Sequence, residues 1–161
     1  MTPLPVIVRA ARNSDLPAIG DLWEQLMSFH TQRDARFAVA RNARSAYLRY
    51  LATNVMPVPD NLVLVAEIDG RVVGFLAGRV EHGGPIFSDP HFGYITDMSV
   101  DEGCRRRAVG RRLFASAQSW FRARGVTNIR VSVSTENPVS TAFWKGVGFR
   151  PFMERLWYDL S

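Results

Sequence analysis

From Leu16 the apolar residues Ile19, Leu22, Trp23, Leu26, Met27 and Phe29/His30 recur at three- and four-residue steps. That stripe predicts an amphipathic helix running to about Thr31. Ahead of it the short β-branched run Val6 to Ala11 reads as a strand, and Asn13-Ser14-Asp15 supplies a helix start with an acidic residue in the first turn. A polar stretch from Gln32 to Phe37 leads to a second helical pattern, with Ala43, Tyr47, Tyr50 and Leu51 on one side. It stops before Pro57 and Pro59, which cannot continue a helix.

Two apolar runs, Asn61 to Ile68 and Arg71 to Val80, flank Asp69-Gly70, a strong short-range signal for a β-hairpin. Glu81 to His91 carries Gly83, Gly84, Pro85 and Asp89-Pro90 and reads as a loop of the kind that borders sites. Phe92 to Val100 is the next strand, with Tyr94, Thr96, Met98 and Val100 on one face and Ile95, Asp97 and Ser99 on the other. A helix from Arg111 to Arg124 ends at Gly125, and Asn128 to Ser134 alternates as a strand. Asn137 and Pro138 open a short helix that closes near Gly146 and Gly148, and Phe149 to Leu160 reads as a last strand. The strand, loop, helix, strand unit over residues 92 to 134 is a crossover, so its strands are expected to be parallel neighbours with a right-handed connection.

The chain has 161 residues, 47% hydrophobic and 22% charged, which fits one globular domain spanning 1–161 and excludes a disordered or collagen-like chain. There is no repeat and no linker to divide it. The single cysteine, Cys104, can form no internal disulfide, and His30, His82 and His91 show no ligand spacing, so no metal is expected. No basic leader or long apolar run is present, so neither a signal peptide nor a membrane span is expected, and a cytoplasmic location is the default. The net charge of +5 admits anionic partners without choosing among them. All basic residues but Lys145 are arginine.

Charge and small residues concentrate where one strand ends and a helix starts, in Asp101-Glu102-Gly103-Cys104-Arg105-Arg106-Arg107-Ala108-Val109-Gly110-Arg111-Arg112. Unsatisfied N–H groups and the macrodipole at a helix N-terminus favour a phosphate, and Ala108 and Gly110 would let the main chain approach it. The competing reading is a solvated charge cluster at a helix end.

Two segments resemble a known family. Tyr94-Ile95-Thr96-Asp97-Met98-Ser99-Val100 followed by Arg105-Arg106-Arg107-Ala108-Val109-Gly110 resembles motif A of the GNAT superfamily of acyl-CoA-dependent N-acyltransferases. That motif runs Gln or Arg, two free positions, Gly, one free position, then Gly or Ala; Ala108 stands here at the usual glycine. Asn137 with Phe143-Trp144-Lys145-Gly146-Val147-Gly148-Phe149 resembles motif B. The resemblance covers Val6 to Leu160. It implies an α/β (α+β) fold: a mixed, mostly antiparallel twisted sheet of six to seven strands, about four helices on its faces, and one parallel pair splayed to bind acyl-CoA.

The resemblance also implies roles. The main chain at Met98, Ser99 and Val100 would pair with the pantetheine arm of acetyl-CoA, the Val100 N–H receiving the developing oxyanion. Arg105, Arg106, Arg107, Ala108, Val109, Gly110 and Arg111 would wrap the pyrophosphate, Asn137 would hydrogen-bond the pantetheine, and Phe143 and Trp144 would flank it. An amine of a small molecule, peptide or protein would attack the thioester directly. Asp97 is the expected base, mid-strand beside the carbonyl-binding segment, with Glu136 and Glu24 weaker candidates and a structural ion pair the alternative for each. Trp144 stands where the family often has a tyrosine that protonates the thiolate, which indole cannot do; Tyr94 or Tyr158 are substitutes. Cys104 is expected to be a bystander. Acceptor recognition is expected from residues 30 to 37, from Tyr47 and Tyr50, and from the loop 81 to 91. A homodimer is common in the family. The alternatives are a catalytically silent acyl-CoA-binding protein and a basic nucleic-acid-binding domain; the latter lacks a recognition helix or aromatic RNA-binding motif.

Overall fold

The structure, a computed structural model, describes residues 2–161; Met1 lies outside them. Five strands form one sheet in chain order: β1 (Ile7–Ala10), β2 (Asn61–Ile68), β3 (Arg71–His82), β4 (His91–Val100) and β5 (Ile129–Val131). The first four are antiparallel, and β4 with β5 is the parallel pair that the crossover predicts. The β2–β3 turn is built by Asp69 at φ 52° and Gly70 at φ 71°, the two left-handed positions that a tight hairpin of this kind needs.

Four helices cover the sheet. On one side lie α1 (Leu16–Arg33) and α2 (Ala43–Tyr50), the latter extended by one wide turn over Leu51–Val55. Their apolar stripe, Ile19, Leu22, Trp23, Leu51 and Val55, packs on Val63, Val65, Phe75 and Ala77. On the other side α3 (Val109–Arg122) and α4 (Pro138–Gly146) bury Leu113, Phe114, Ala117, Phe121 and Trp144 against Leu62, Leu64, Leu76 and Ile95. No helix among the described residues is long and apolar enough to cross a membrane.

The structure corrects three expectations. The sheet has five strands, not six to seven, because residues 150–161 form no ladder and are exposed along their whole length. The strand expected over 128 to 134 pairs only at Ile129–Val131, since β4 diverges from it beyond Ile95. The faces of β4 also differ from strict alternation. Its register with β3 passes from Ala77↔Asp97 directly to Gly78↔Ile95, so Thr96 is an extra, bulged residue. Ile95 therefore lies in the α3 core with Met98 and Val100 beside it, while Ser99 reaches α1 on the opposite face.

Candidate active site

The bulge sets up the central feature. Up to Ile95 β4 is bonded on both sides; from Thr96 to Val100 it keeps β3 and loses β5. A strand sends successive N–H groups to alternate edges. The Asp101 N–H donates to the Val73 carbonyl of β3 at 2.8 Å. Counting back, the Ser99 N–H faces β3 as well, and the N–H groups of Val100 and Met98 face the gap. The Ser99 side chain is also engaged, its hydroxyl donating to the Leu22 carbonyl of α1 at 2.9 Å. Of the three residues expected to meet the pantetheine, Met98 and Val100 thus offer their main chain to the gap, and Ser99 instead ties β4 to α1.

At the head of α3 the chain passes through two left-handed residues, Arg106 at φ 65° and Ala108 at φ 59°. Among the described residues, the backbone N–H groups of Arg106 to Arg111 have no protein acceptor; the first bond into the helix is from Arg112 to the Ala108 carbonyl. Unpartnered N–H groups in such a loop form an anion cradle. Arg105, Arg106, Arg107 and Arg111 are exposed around it. Arg112 is turned away, donating to the Val6 carbonyl. Val109 is buried in the core, so it can give a ligand only its main chain. Ala108 occupies a conformation that costs an L-residue about 1–2 kcal/mol, which is the physical reason glycine is usual there.

Gly110, Phe143 and Met98 meet at the floor between cradle and gap: a Cβ on Gly110 would lie 3.0 Å from the Phe143 ring and 3.7 Å from the Met98 methyl. The small residue is thus required by α3–α4 packing as well as by any ligand. Asn137 is buried and caps α4, its side-chain oxygen accepting from the Ser140 N–H at 2.9 Å. Its amide NH2 is left to donate to a ligand. Trp144 does not flank the gap. It is 5% exposed and sits in an aromatic cluster, its ring 5.7 Å from Phe114, 5.0 Å from Phe143 and 5.0 Å from Phe149. Its spacing in the sequence is equally that of a core aromatic.

Asp97 lies on the α1/α2 side of the sheet, at a cavity of ≈ 150 Å³ that Tyr47, Tyr50, Ala77, Arg79 and Thr96 also line. Burial pushes its carboxyl above the ordinary carboxylate range, with Thr96, Tyr47, His30 and Arg79 pulling the other way. The Tyr47 ring stacks on Trp23 at 4.6 Å. Its hydroxyl is buried close enough to feel the Asp97 charge, yet completes no hydrogen bond of normal length to the protein; burial and that charge raise its pKa. His30 stacks on Phe37 at 4.8 Å, and burial lowers the pKa of its imidazole below the ordinary value. In the sequence Tyr47 stands with Tyr50 as a recognition candidate and His30 only as the start of a recognition segment; an apolar stripe does not say which of its aromatics carries an orphaned hydroxyl.

The other candidates are elsewhere or engaged. Glu24 is exposed and accepts from Arg44 at 2.7 Å, and Glu136 is exposed on the loop after β5. The Tyr94 hydroxyl is 2.6 Å from the Ser132 hydroxyl, linking β4 to the chain beyond β5. Tyr158 lies in the exposed C-terminal segment, and Cys104 is buried in the core.

A splayed parallel pair, an N–H cradle at the next helix and a buried carboxylate beside the gap define an acyltransferase architecture. The model of the Acetyltransferase (GNAT) family matches residues 21–149, and the chain belongs to that family: it is an acetyltransferase whose donor is acetyl-CoA. It is 28% identical over 119 residues to an uncharacterized N-acetyltransferase of Methanocaldococcus jannaschii, covering 73% of this chain and 71% of the relative. It is 28% identical over 134 residues to the L-2,4-diaminobutyric acid acetyltransferase of Nocardia farcinica, covering 83% of this chain and 62% of the relative. Among solved structures, the BH1408 protein of Bacillus halodurans (mutant F44R) shares the fold at TM-score 0.83 and 20% identity, covering 96% and 99% of the two chains. The aminoglycoside N-acetyltransferase AAC(6')-Iy in complex with CoA does so at TM-score 0.78 and 19% identity, covering 98% and 96%.

Proposed function

We propose that the chain acetylates a primary amine of a small molecule or peptide by direct attack on acetyl-CoA, with Asp97 as base and the Val100 N–H as oxyanion donor. The observation that carries this reading is the gap beside β4: the Val100 and Met98 N–H groups face it, and Asp97 stands at the end of the same unpaired stretch. The pantetheine pairs with these N–H groups as an added strand, the Asn137 amide donates to it, and the cradle at Arg106 to Arg111 takes the pyrophosphate. The acceptor arrives as an ammonium with a pKa near 10 and gives its proton to Asp97, directly or through water. The free amine adds to the thioester carbonyl, whose oxygen takes the charge toward Val100. Collapse breaks the C–S bond, yielding the amide and a CoA thiolate. With the thiol pKa near 8.5, that thiolate can leave unprotonated, so the Trp144 indole in the tyrosine position does not block turnover.

The small cavity at Asp97, lined by Tyr47 and Tyr50, suits the narrow aliphatic end of an amine. The diaminobutyric acid enzyme among the relatives acts on an acceptor of that kind. We further read the enzyme as a cytoplasmic homodimer, in keeping with its one free cysteine.

The test is a thermal-shift titration with acetyl-CoA, CoA and ATP, followed by an amine screen for acetyl transfer. A ligand at about a hundred times its Kd stabilises by about 2.7 kcal/mol, a rise of about 5–10 °C in a chain of this size. Both CoA species raise Tm and ATP does not; a folded protein indifferent to all three would sink the reading. Binding without transfer to any amine would mark an acyl-CoA-binding protein instead.

A further inference from the structure

The Tyr47 side chain ends in a hydroxyl that the fold does not use. Among the described residues it is the one buried side-chain polar atom without a hydrogen-bond partner. A buried hydroxyl left unpaired is destabilising, so a native protein that keeps one has a use for it. A loose ring is not the cause. Tyr47 stacks on Trp23 with ring centroids 4.6 Å apart and planes 13° from parallel, and Trp23 belongs to the core between α1 and the sheet. Held there, Tyr47 forms one wall of the ≈ 150 Å³ cavity that holds Asp97, and its hydroxyl lies in reach of the Asp97 charge.

A cation entering this cavity needs acceptors. Four groups act on the Asp97 carboxyl: Thr96 from its own strand, Tyr47 from α2, His30 from α1 and Arg79 from β3. Thr96 is spent on Asp97 itself, and the Arg79 guanidinium has no lone pair and is bonded to Glu81. The Tyr47 oxygen has lone pairs and no claim on them.

We infer that the Tyr47 hydroxyl binds the acceptor nitrogen, accepting one of its N–H bonds while Asp97 takes another, and thereby makes the site selective for primary amines. The inference deepens the proposed function and rests on it. A primary ammonium carries three N–H bonds around its C–N axis. One meets Asp97, one meets the Tyr47 oxygen, and the last faces the gap. The bond at Asp97 breaks, the proton passing to the carboxylate and the electron pair staying on nitrogen. A turn about the C–N bond carries that pair round to the gap, where it forms the new bond to the thioester carbon. The two remaining N–H bonds again face Asp97 and Tyr47. A secondary amine at that stage has a single N–H bond and leaves one position empty. Tyr47 gives up no proton itself, since burial and the Asp97 charge raise its pKa.

Steady-state acetylation of n-butylamine and of L-2,4-diaminobutyrate, each beside its N-methyl counterpart, compares wild type with Tyr47→Phe. The variant loses about 10- to 100-fold in kcat/KM on the primary amine, with the KM of acetyl-CoA unchanged. Wild type prefers the primary amine by about tenfold or more, and the variant loses that preference. The rising limb of kcat/KM moves to higher pH in the variant, because the Tyr47 hydroxyl helps hold the Asp97 carboxyl down. Without ligand the variant keeps or gains Tm, since no internal hydrogen bond is lost, and its gain of Tm from CoA shows that it is folded. Unchanged kcat/KM, a preference that survives in Tyr47→Phe, or a Tm lower by more than about 4 °C overturns the inference. If CoA still raises Tm and amines are still acetylated, any of those results leaves the proposed function standing and removes only the role of Tyr47. A wild type that gains no Tm from CoA, or that acetylates neither probe, sinks both.

Discussion

Gly93→Ala adds one methyl group and should destabilise the protein, against the usual direction. Replacing glycine inside a strand ordinarily helps by about 0.5–1 kcal/mol, because alanine loses less backbone freedom on folding. Here the new Cβ would lie 2.8 Å from both Cδ1 and Cε1 of Phe121 and 3.0 Å from its Cζ. Phe121 is fully buried, and its ring also lies against Gly78 of β3, where a Cβ would meet Cζ at 3.4 Å. Carbon pairs are comfortable at about 3.5–4.0 Å, so the ring or the whole of α3 must retreat by about 1 Å. Overpacking of that kind costs about 1–3 kcal/mol, a fall in Tm of about 2–12 °C for a chain of this size. Thermal unfolding by circular dichroism measures it. Phe121→Leu in the same chain should return part of the loss, appearing as a favourable coupling of about 0.5–3 kcal/mol in the double-mutant cycle. Because α3 carries the anion cradle at its head, the CoA-induced rise in Tm should shrink in Gly93→Ala. A variant that melts with or above the wild type, or strictly additive losses, would refute the steric argument.

Asp97→Asn should lower kcat/KM by about 100- to 10,000-fold, the range for a lost general base, while leaving the CoA-induced Tm rise intact. Wild-type kcat/KM should climb with pH through a value above the ordinary carboxylate range, and the variant should lose that limb. Since folding raises the Asp97 pKa, its stabilising contribution is complete below the unfolded value and lost as pH rises through the folded one. Asp97→Asn should therefore gain in stability relative to wild type toward neutral pH, as paired melting curves would show. Asp15 has the opposite sign: Arg9 donates to it at 2.7 and 2.8 Å and the Arg12 N–H at 2.7 Å, holding its carboxyl below the usual range. Its contribution is present above the unfolded carboxylate pKa and fades as pH falls through the folded one, so Asp15→Asn should cost about 1–3 kcal/mol at neutral pH and progressively less in acid, by urea unfolding. Ala108→Gly should stabilise by up to about 1 kcal/mol by relieving a left-handed alanine, and an unchanged midpoint would argue against strain at that turn.

Much of this fold was legible in local chemistry. Asp69-Gly70 dictates its own turn, and the basic segment between β4 and α3 announces the crossover to β5. What stayed hidden was non-local. A bulge leaves no mark on a hydrophobic pattern, so Ile95 and Asp97 looked like neighbours on one face when Thr96 puts them on opposite ones. The aromatic residues of α4 carry no sign of which is core and which is site, and only packing against Phe114 assigns Trp144. The strand expected over residues 149 to 160 rested on composition, and composition cannot supply the ladder partner that residues 150–161 lack. Tyr47 and His30 reach Asp97 from α2 and α1, a convergence that exists only once both helices are laid on the sheet.

Thr96 also determines what the chain can lose. Removing another residue from the middle of β4 turns one half of the strand by 180° relative to the other; removing Thr96 only makes Ile95 and Asp97 adjacent, and adjacent strand residues already face opposite sides, as these two do. With Met98 removed and the N-terminal half in place, Ser99 would turn under α3 and Val100 would point at α1, whereas loss of Thr96 leaves Asp97 and Met98 on the faces they hold. In a library of single-residue deletions, β4 should thus bear the loss of Thr96 better than the loss of Asp97, Met98 or Ser99, since that one deletion keeps both halves of the strand in phase.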